Sequence, residues 1–568
     1  MKFNDMQYTR PDIQKMGKKV DELVLKIDNA DSFEDVDNAF AEYCNIAMDI
    51  DTDLQMAYIR HTINTNDEFY DKENDFADEA MPQISEIDNK IKNAIYNSKF
   101  RNDFSKKYGD ILIKNIEISL KTFSPEIISD LQEENKLVSE YDKLIASAQI
   151  NFNGEVYTLS QLSPFKTSKE KEERHAAWKA DGGFYEENGE RLDDIYDKLV
   201  KVRTKIAHKL GYKSFTELGY YRMERNCYTA KDISEFREAV VKYIVPIAEK
   251  LYKEQAKRTG LPYPLSYADM GLEFMSGNSK PCGTADDILA HAKEFYHELS
   301  PETAEFIDFM YENELLDVLS KKGKQAGGYC TGLPKYKAPF IFANFNGTQG
   351  DVEVMTHEAG HAFAGYTSMK NNLPYPLLGP STESCECHSM SMEFFAWPWE
   401  KGFFGKDTDK FYYSHLFGAI KFIPYGTMVD HFQHIVYDNP ELTPKQRHEK
   451  WAELTAIYMP WVALNGDIPF YGYGKAWQRQ IHIYEVPFYY IDYCLAQTIA
   501  LEFWALMQKD RKDAWERYMK FTNLGGTKTF VELVEAAGLD TPFGEEALKK
   551  VAQAASEWLH NYDSSKLI

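Results

Sequence analysis

The sequence predicts a mainly α-helical fold with a small β component, and two observations support that prediction. Apolar residues recur at helical spacing through most of the 568 residues. Only two regions have the composition and turn signals of β-strands, near residues 148–159 and 327–345. We therefore expect helices along the whole chain, with strands confined to those two regions.

The N-terminal region, residues 1–195, is predicted to form a helical lobe. Its first helices are indicated by apolar residues at near-helical spacing, namely Tyr8, Ile13, Met16 and Val20. A hairpin interrupts the helices near residues 148–159, because Asn153-Gly154 lies between two short β-prone runs. We expect a second region, residues 196–568, to follow this lobe.

The second region again begins with helices, predicted over 232–251, over 286–299 and from Ser300-Pro301 onward. Two extended runs follow, Gly327–Cys330 and Ala338–Phe345. Because proline cannot donate to a β-ladder, Pro339 favours an edge strand, and an interior strand is the alternative. The rest of the chain is predicted to be helical.

Composition restricts the class of protein. The 65 Lys and Arg against 89 Asp and Glu give a net charge of −24, which argues against a nucleic-acid partner. No apolar run is long enough to span a membrane, and the N-terminal residues lack the apolar core of a secretory signal. Seven scattered Cys suit a reducing compartment. We expect a cytoplasmic protein without membrane or nucleic-acid partners, and nothing in the sequence indicates its oligomeric state.

One short motif indicates chemistry: His357-Glu358-Ala359-Gly360-His361. Residues four apart share one face of a helix, so the two imidazoles can bind one zinc ion. Glu358 can then act as a general base toward water, whose pKa zinc lowers to about 7. The alternative is a surface helix with solvated side chains. Thr348 or Asp351 can cap this helix, and its apolar neighbours indicate partial burial, which favours the metal interpretation.

A catalytic zinc ion normally takes three protein ligands, so a third must come from elsewhere. The segment 381–393 supplies the candidates, and Glu386 and Glu393 share a helical face because they are seven residues apart. One of them can bind the ion while the other orients a ligand histidine. Spacing alone does not choose between Glu383 and Glu386. The rival ligands by chemistry are Cys385, Cys387 and His388.

These motifs together resemble the thimet oligopeptidase and oligoendopeptidase F family of zinc metallopeptidases, most closely its bacterial Pz-peptidase and oligoendopeptidase F type. In that family a Glu-x-x-Ser-x-x-x-Glu helix starts 29 residues after the first histidine, as Glu386 does after His357. The resemblance implies Glu386 as the third ligand, Glu393 as the residue that orients a histidine, and one zinc ion per chain. It also implies a zincin-type (gluzincin) fold, in which two helical lobes enclose a substrate cleft and a small β-sheet lies beside the HExxH helix.

The resemblance extends to the segment 482–493. Stabilising a tetrahedral oxyanion requires preorganised donors, and Tyr490 and Tyr493 share a helical face. The family implies that His482 and these tyrosines hold the substrate carbonyl and its oxyanion, with Tyr489 as the alternative to Tyr490. Without the family, packing in a helical core would be the ordinary interpretation of such an aromatic run.

The resemblance implies an endopeptidase that cleaves internal bonds of short unfolded oligopeptides, with residues 196–568 as the catalytic region. Gly328, Asn344 and Tyr489 are predicted to contact the peptide. Cys385 and Cys387 are either buried and inert or a source of sensitivity to oxidation. Two alternatives are a peptide-binding protein without activity, which the intact motif disfavours, and an exopeptidase, for which the sequence reveals no group that captures a free terminus.

Overall fold

The computed structural model describes residues 1–325 and 327–567, and it is mainly helical with two small sheets. The chain divides into two compact units, each assembled from three segments. Unit 1 comprises Met1–Leu120, Lys280–Thr408 and Leu506–Leu539, and unit 2 comprises Lys121–Ser279, Asp409–Ala505 and Asp540–Ile568.

The boundary predicted at residue 195 does not coincide with this division. Residue 195 lies inside the helix Gly189–Lys209 of unit 2, whose buried face runs continuously from Leu192 to Ile206. A domain boundary requires a segment that few contacts cross, and an uninterrupted amphipathic helix does not provide one. The chain passes between the units several times, which a single boundary in the sequence cannot represent.

Unit 1 begins with a group of amphipathic helices. In the first of them, the buried residues Ile13, Met16, Val20 and Leu23 recur every three or four positions, as a one-sided helix requires. The main helices of unit 1 are Ile13–Asp28, Phe33–Ile63, Glu68–Asn97, Arg101–Tyr108, Asp110–Lys121, Ala285–Leu299, Pro301–Glu312, Gln349–Lys370, Thr382–Phe395, Glu400–Phe404, Arg511–Leu524 and Phe530–Ala536.

A three-stranded sheet lies beside the helix Gln349–Lys370, which carries the HExxH motif and is called the motif helix below. The central strand Ala338–Phe345 pairs in parallel with Leu316–Leu319 and antiparallel with Tyr329–Leu333. The predicted mainly α fold with a small sheet beside the motif helix is thus confirmed. The strand Leu316–Leu319 lies outside the two regions predicted to form strands.

The edge position favoured for the Pro339 strand is wrong, because this strand is the central one. Pro339 pairs with Gly332 on one side, whereas pairing on the other side begins only at Ile341, opposite Leu316. Ile341 donates its N–H to the carbonyl of Leu315, so the N–H that Pro339 lacks would point to this same side, where pairing has not yet begun, and no ladder hydrogen bond is lost. The edge strand next to the motif helix is Tyr329–Leu333.

Unit 2 is also mainly helical, and the predicted hairpin forms by antiparallel pairing of Ile150–Phe152 with Glu155–Tyr157. Its main helices are Ile128–Ala146, Leu159–Lys166, Lys171–Glu187, Gly189–Lys209, Phe215–Arg222, Ala230–Ala239, Val245–Thr259, Thr408–Asp438, Pro444–Tyr458, Ile481–Glu485, Tyr490–Met507 and Glu545–Asn561. Across residues 1–325 and 327–567, no helix combines the length and apolarity needed to cross a bilayer.

Candidate active site

The motif helix starts as the sequence predicts. Thr348 is its N-cap, and the carboxylate of Asp351 accepts hydrogen bonds from the backbone N–H groups of Asn346 and Gly347, at 3.0 and 2.7 Å. A negative charge thus lies at the positive end of the helix dipole. The helix places the rings of His357 and His361 on one face, with centroids 5.0 Å apart.

The second helix, Thr382–Phe395, brings Glu386 to these two histidines. Its Oε2 atom lies 3.5 Å from Nε2 of His357 and 3.4 Å from Nε2 of His361. All three candidate ligand atoms lie within 4.8 Å of one another. A tetrahedral zinc ion with bonds of about 2.0–2.1 Å separates its ligands by roughly 3.3–3.4 Å, so this donor set fits the ion in both chemistry and spacing.

Two further residues orient this donor set. Nδ1 of His357 lies 2.6 Å from Oε1 of Glu393, so the ring donates its Nδ1 proton there and directs Nε2 toward Glu386. The hydroxyl of Ser389 donates to Oε2 of Glu386 at 3.2 Å. Glu393 was expected in this position, whereas a contact of Ser389 with the carboxylate was not.

The electrostatics of the three residues favour bound positive charge. Burial disfavours a charged His357, but its hydrogen bonds with Glu386 and Glu393 raise its pKa well above 6.5. Burial likewise disfavours an ionised Glu386, but the hydrogen bonds with His357 and His361 lower its pKa. The carboxylate of Glu386 therefore stays ionised in a largely buried place, which is the environment a metal cation requires.

The rival ligand candidates point elsewhere. Oε1 of Glu383 accepts from the hydroxyl of Ser381 at 2.8 Å. The ring of His388 packs against Phe521, with centroids 5.0 Å apart, and burial followed by the charge of His361 lowers its pKa to about 3. Cys387 is buried, and Sγ of Cys385 donates to the carbonyl of Pro380 at 3.5 Å.

Glu358 and the predicted substrate-contacting residues of unit 1 lie around the edge strand. The motif helix that carries Glu358 lies against this strand, and burial, followed by the charge of Glu358, raises the pKa of Cys330 on it. Asn344 uses its amide to hold the loop before the strand, because Nδ2 donates to the carbonyls of Gln325 and Gly327 at 2.8 and 3.0 Å. Gly328, in the same loop, is exposed.

Gly360 allows the two helices of the site to approach each other. A Cβ at this position would lie 2.8 Å from Cα of Ser389 and 3.0 Å from the carbonyl oxygen of His388. Both are backbone atoms of the Glu386 helix, so no side-chain rotation relieves the contact. Glycine in a helix interior costs about 1 kcal/mol relative to alanine, which could have drawn attention to this residue in the sequence.

We expect Gly360→Ala to destabilise the fold by about 1–3 kcal/mol and to weaken metal binding, because the added methyl group separates the two helices. Denaturant unfolding and zinc titration measure both effects. The matched control is Gly365→Ala on the same helix, where a Cβ meets only Cε of Met369 at 4.0 Å. That variant should gain stability, and equal behaviour of the two variants would contradict the packing role of Gly360.

The predicted aromatic site residues form a second group, in unit 2. The ring of His482 lies 5.4 Å from that of Tyr489, 5.0 Å from that of Tyr490 and 5.9 Å from that of Tyr493. Both candidates for the oxyanion contact are therefore neighbours of His482. Burial raises the pKa of Tyr490 well above 10, so its hydroxyl stays protonated and can donate.

Two residues that sequence reasoning missed determine the tautomer of His482. Nε2 of Gln480 lies 2.9 Å from Nδ1 of His482, and the hydroxyl of Tyr425 donates to Oε1 of Gln480 at 2.7 Å. Because the amide nitrogen donates, Nδ1 of His482 accepts and its proton resides on Nε2. Tyr425 is 55 residues away in the chain, and no local pattern links it to His482.

A buried ion pair anchors the turn that carries the tyrosines. The guanidinium of Arg225 lies 2.8 Å from Oδ1 of Asp492 and also donates to the carbonyl of Phe488. The hydroxyl of Tyr228 donates to the same Asp492 oxygen at 3.1 Å. Removing one partner of such a pair leaves an uncompensated buried charge, so these contacts hold residues 488–492 in place.

Comparisons with known proteins identify the family that this chain resembles. Two family models match the chain: the peptidase M3 N-terminal domain over residues 3–123 and peptidase family M3 over residues 289–553. A solved structure of Pz peptidase A with an inhibitor is 46% identical, with a TM-score of 0.93, covering 99% of this chain and 100% of that one.

Two curated relatives match over shorter regions. Oligopeptidase PepF from Bacillus subtilis (strain 168) is 22% identical over 357 residues, 62% of this chain and 50% of that protein. An oligoendopeptidase F homolog from Borreliella burgdorferi (strain ATCC 35210 / DSM 4680 / CIP 102532 / B31) is 27% identical over 232 residues, 40% of this chain and 38% of that protein. The matches thus span half or less of the length of these two relatives.

Proposed function

The chain belongs to peptidase family M3, and on that premise we propose that it is a zinc-dependent endopeptidase that cleaves internal bonds of short unfolded peptides. The observation that carries this proposal is the convergence of two imidazole nitrogens on one carboxylate oxygen, at 3.5 and 3.4 Å. His357, His361 and Glu386 would hold the ion. It would supply Lewis-acid polarisation of the scissile carbonyl and activation of water near neutral pH.

Residues around the metal ligands would transfer the proton and hold the ligands in place. Glu358, adjacent to His357 in the motif, accepts a proton from the attacking water and delivers it to the nitrogen of the leaving amine. Glu393 and Ser389 keep the ring of His357 and the carboxylate of Glu386 in their binding orientations. Fixed orientations lower the reorganisation that the reaction would otherwise require.

The unit 2 residues would stabilise the developing oxyanion. His482 presents an N–H at Nε2 because Gln480 donates to its other nitrogen, and Tyr490 presents a protonated hydroxyl. Donors of this kind contribute about 10²–10³ in kcat when they are preorganised. The edge strand Tyr329–Leu333 would bind the peptide backbone as an added strand. Strand addition recognises the peptide backbone rather than the side chains, which suits a peptidase that acts on diverse short peptides.

The test is cleavage of an internally quenched peptide of about ten residues, roughly 35 Å when extended, blocked at both ends. We expect cuts at internal bonds by mass spectrometry, loss of activity after chelation and recovery with stoichiometric zinc. A strict exopeptidase would leave the blocked peptide intact while trimming the free one. Zinc-loaded protein that cleaves no peptide in a diverse pool would instead favour the peptide-binding alternative.

A further inference from the structure

Arg479 of unit 2 is a cation without an anionic partner. Among the residues that the structure describes, no hydrogen bond and no ion pair involves its guanidinium. Its side chain is exposed, and its guanidinium carbon lies 5.7 Å from the ring centroid of Tyr471.

Several other arginines of the same unit are paired with carboxylates at short distances. The fully buried ones pair at 2.6–3.0 Å, namely Arg174 with Asp269, Arg203 with Glu134, Arg225 with Asp492 and Arg447 with Asp197. The carboxylate near Arg479 is already engaged: Asp181 accepts from the hydroxyl of Tyr471 at 2.5 Å and from Nζ of Lys166 at 2.6 Å. Arg479 therefore keeps its five donors available.

The position of Arg479 connects it with the proposed oxyanion donors. It ends the short helical turn Ala476–Arg479, three residues before His482, so their Cα atoms lie at most about 11 Å apart. Its charge acts on Tyr490 against the effect of burial, and the Tyr490 ring lies 5.0 Å from that of His482. A group of the peptide substrate that Arg479 binds would therefore lie within a few substrate residues of the peptide bond that His482 would face.

We infer that Arg479 binds a carboxylate of the peptide substrate, through its unpaired guanidinium beside the ring of Tyr471. This inference rests on the proposed function. A guanidinium binds carboxylates in a planar, two-pronged geometry, and the phenol ring behind it supports the cation. The carboxylate has two possible sources, the free C-terminus of the peptide or an acidic side chain near the scissile bond.

The test compares three quenched peptides of one sequence. The first is neutral, with Gln near the scissile bond and a C-terminal amide; the second has a free C-terminal carboxylate; the third keeps the amide and replaces that Gln by Glu. We expect wild type to cleave one carboxylate peptide with a kcat/KM about 10- to 100-fold above that of the neutral peptide. The peptide whose kcat/KM exceeds that of the neutral peptide identifies the source of the carboxylate.

The variant Arg479→Gln should remove that gain, because only a charge-assisted contact is lost. Its kcat/KM for the neutral peptide should stay within about twofold of the wild-type value. Arg479→Lys should retain part of the gain. The matched control is Arg191→Gln, an exposed arginine of unit 2 that pairs with Glu140 at 3.2 Å, and it should keep the full gain. Cleavage of the neutral peptide also reports that each variant is folded.

One further measurement needs only the wild-type protein. Raising the salt concentration should reduce the gain in kcat/KM, because salt screens the charges. Equal cleavage of all three peptides by wild type would overturn the inference while leaving the proposed function intact. Equal losses for all three peptides in Arg479→Gln would also overturn it. Failure of wild type to cleave any of them would count against the proposed function itself.

Discussion

Glu358→Gln should lower kcat for peptide hydrolysis by about 10²–10⁴ while leaving zinc binding intact, because general-base catalysis contributes that much. The amide has nearly the same shape as the carboxylate but cannot accept the proton of the attacking water. The donor set of His357, His361 and Glu386 is untouched, since these residues converge on one another without Glu358. Single-turnover cleavage and zinc content, measured on the same sample, separate the two effects.

The control for this prediction is Glu353→Gln, one turn earlier on the motif helix. Glu353 accepts a hydrogen bond from Nε2 of Gln349 at 2.8 Å and has no place in the proposed chemistry. It should keep most of the activity. If Glu358→Gln retained wild-type kcat with zinc bound, another group would have to be the base, and the reaction proposed for this site would need revision.

Glu386→Ala should abolish stoichiometric zinc binding and, with it, peptide hydrolysis. Loss of a residue that only orients a ligand costs about 10–100-fold in metal affinity, and loss of a ligand should cost more. The carboxylate oxygen is the atom that both imidazole nitrogens approach, at 3.5 and 3.4 Å. Zinc competition with a chromophoric chelator gives the affinity, and activity at saturating zinc shows whether the site still functions.

Glu383→Ala is the informative comparison, because spacing in the sequence allowed either residue as the third ligand. Glu383 lies one turn earlier on the same helix, is equally acidic and is buried, with Oε1 bonded to the hydroxyl of Ser381. We expect this variant to keep its zinc. Zinc loss in Glu383→Ala together with zinc retention in Glu386→Ala would reverse the assignment.

Features that depend on local spacing were predictable from the sequence. The two histidines face one side because they are four residues apart on one helix, and the hairpin follows from Asn153-Gly154 between β-prone runs. The helix Pro301–Glu312 starts after its N-cap Ser300, as the Ser300-Pro301 pair predicts. Each of these features involves residues within about one helical turn, where periodicity and backbone hydrogen bonding decide the outcome.

Features that depend on packing between distant segments were decided only by the tertiary structure. Glu386 rather than Glu383 reaches the histidines because the bare backbone at Gly360 lets two helices meet in one register. The tautomer of His482 depends on Gln480 and, through it, on Tyr425.

The same distinction explains Pro339 and Arg479. Whether Pro339 lies in a central strand depends on where its second neighbour begins to pair, at Ile341. Whether Arg479 is paired depends on which groups Asp181 already binds, and Lys166 and Tyr471 occupy it. By itself the sequence determined the helical fold and the histidine pair, because helical periodicity is a local property. Without the family resemblance, the third carboxylate, the proposed oxyanion donors and the unpaired cation could be recognised only in the folded chain, because only folding brings distant residues close together.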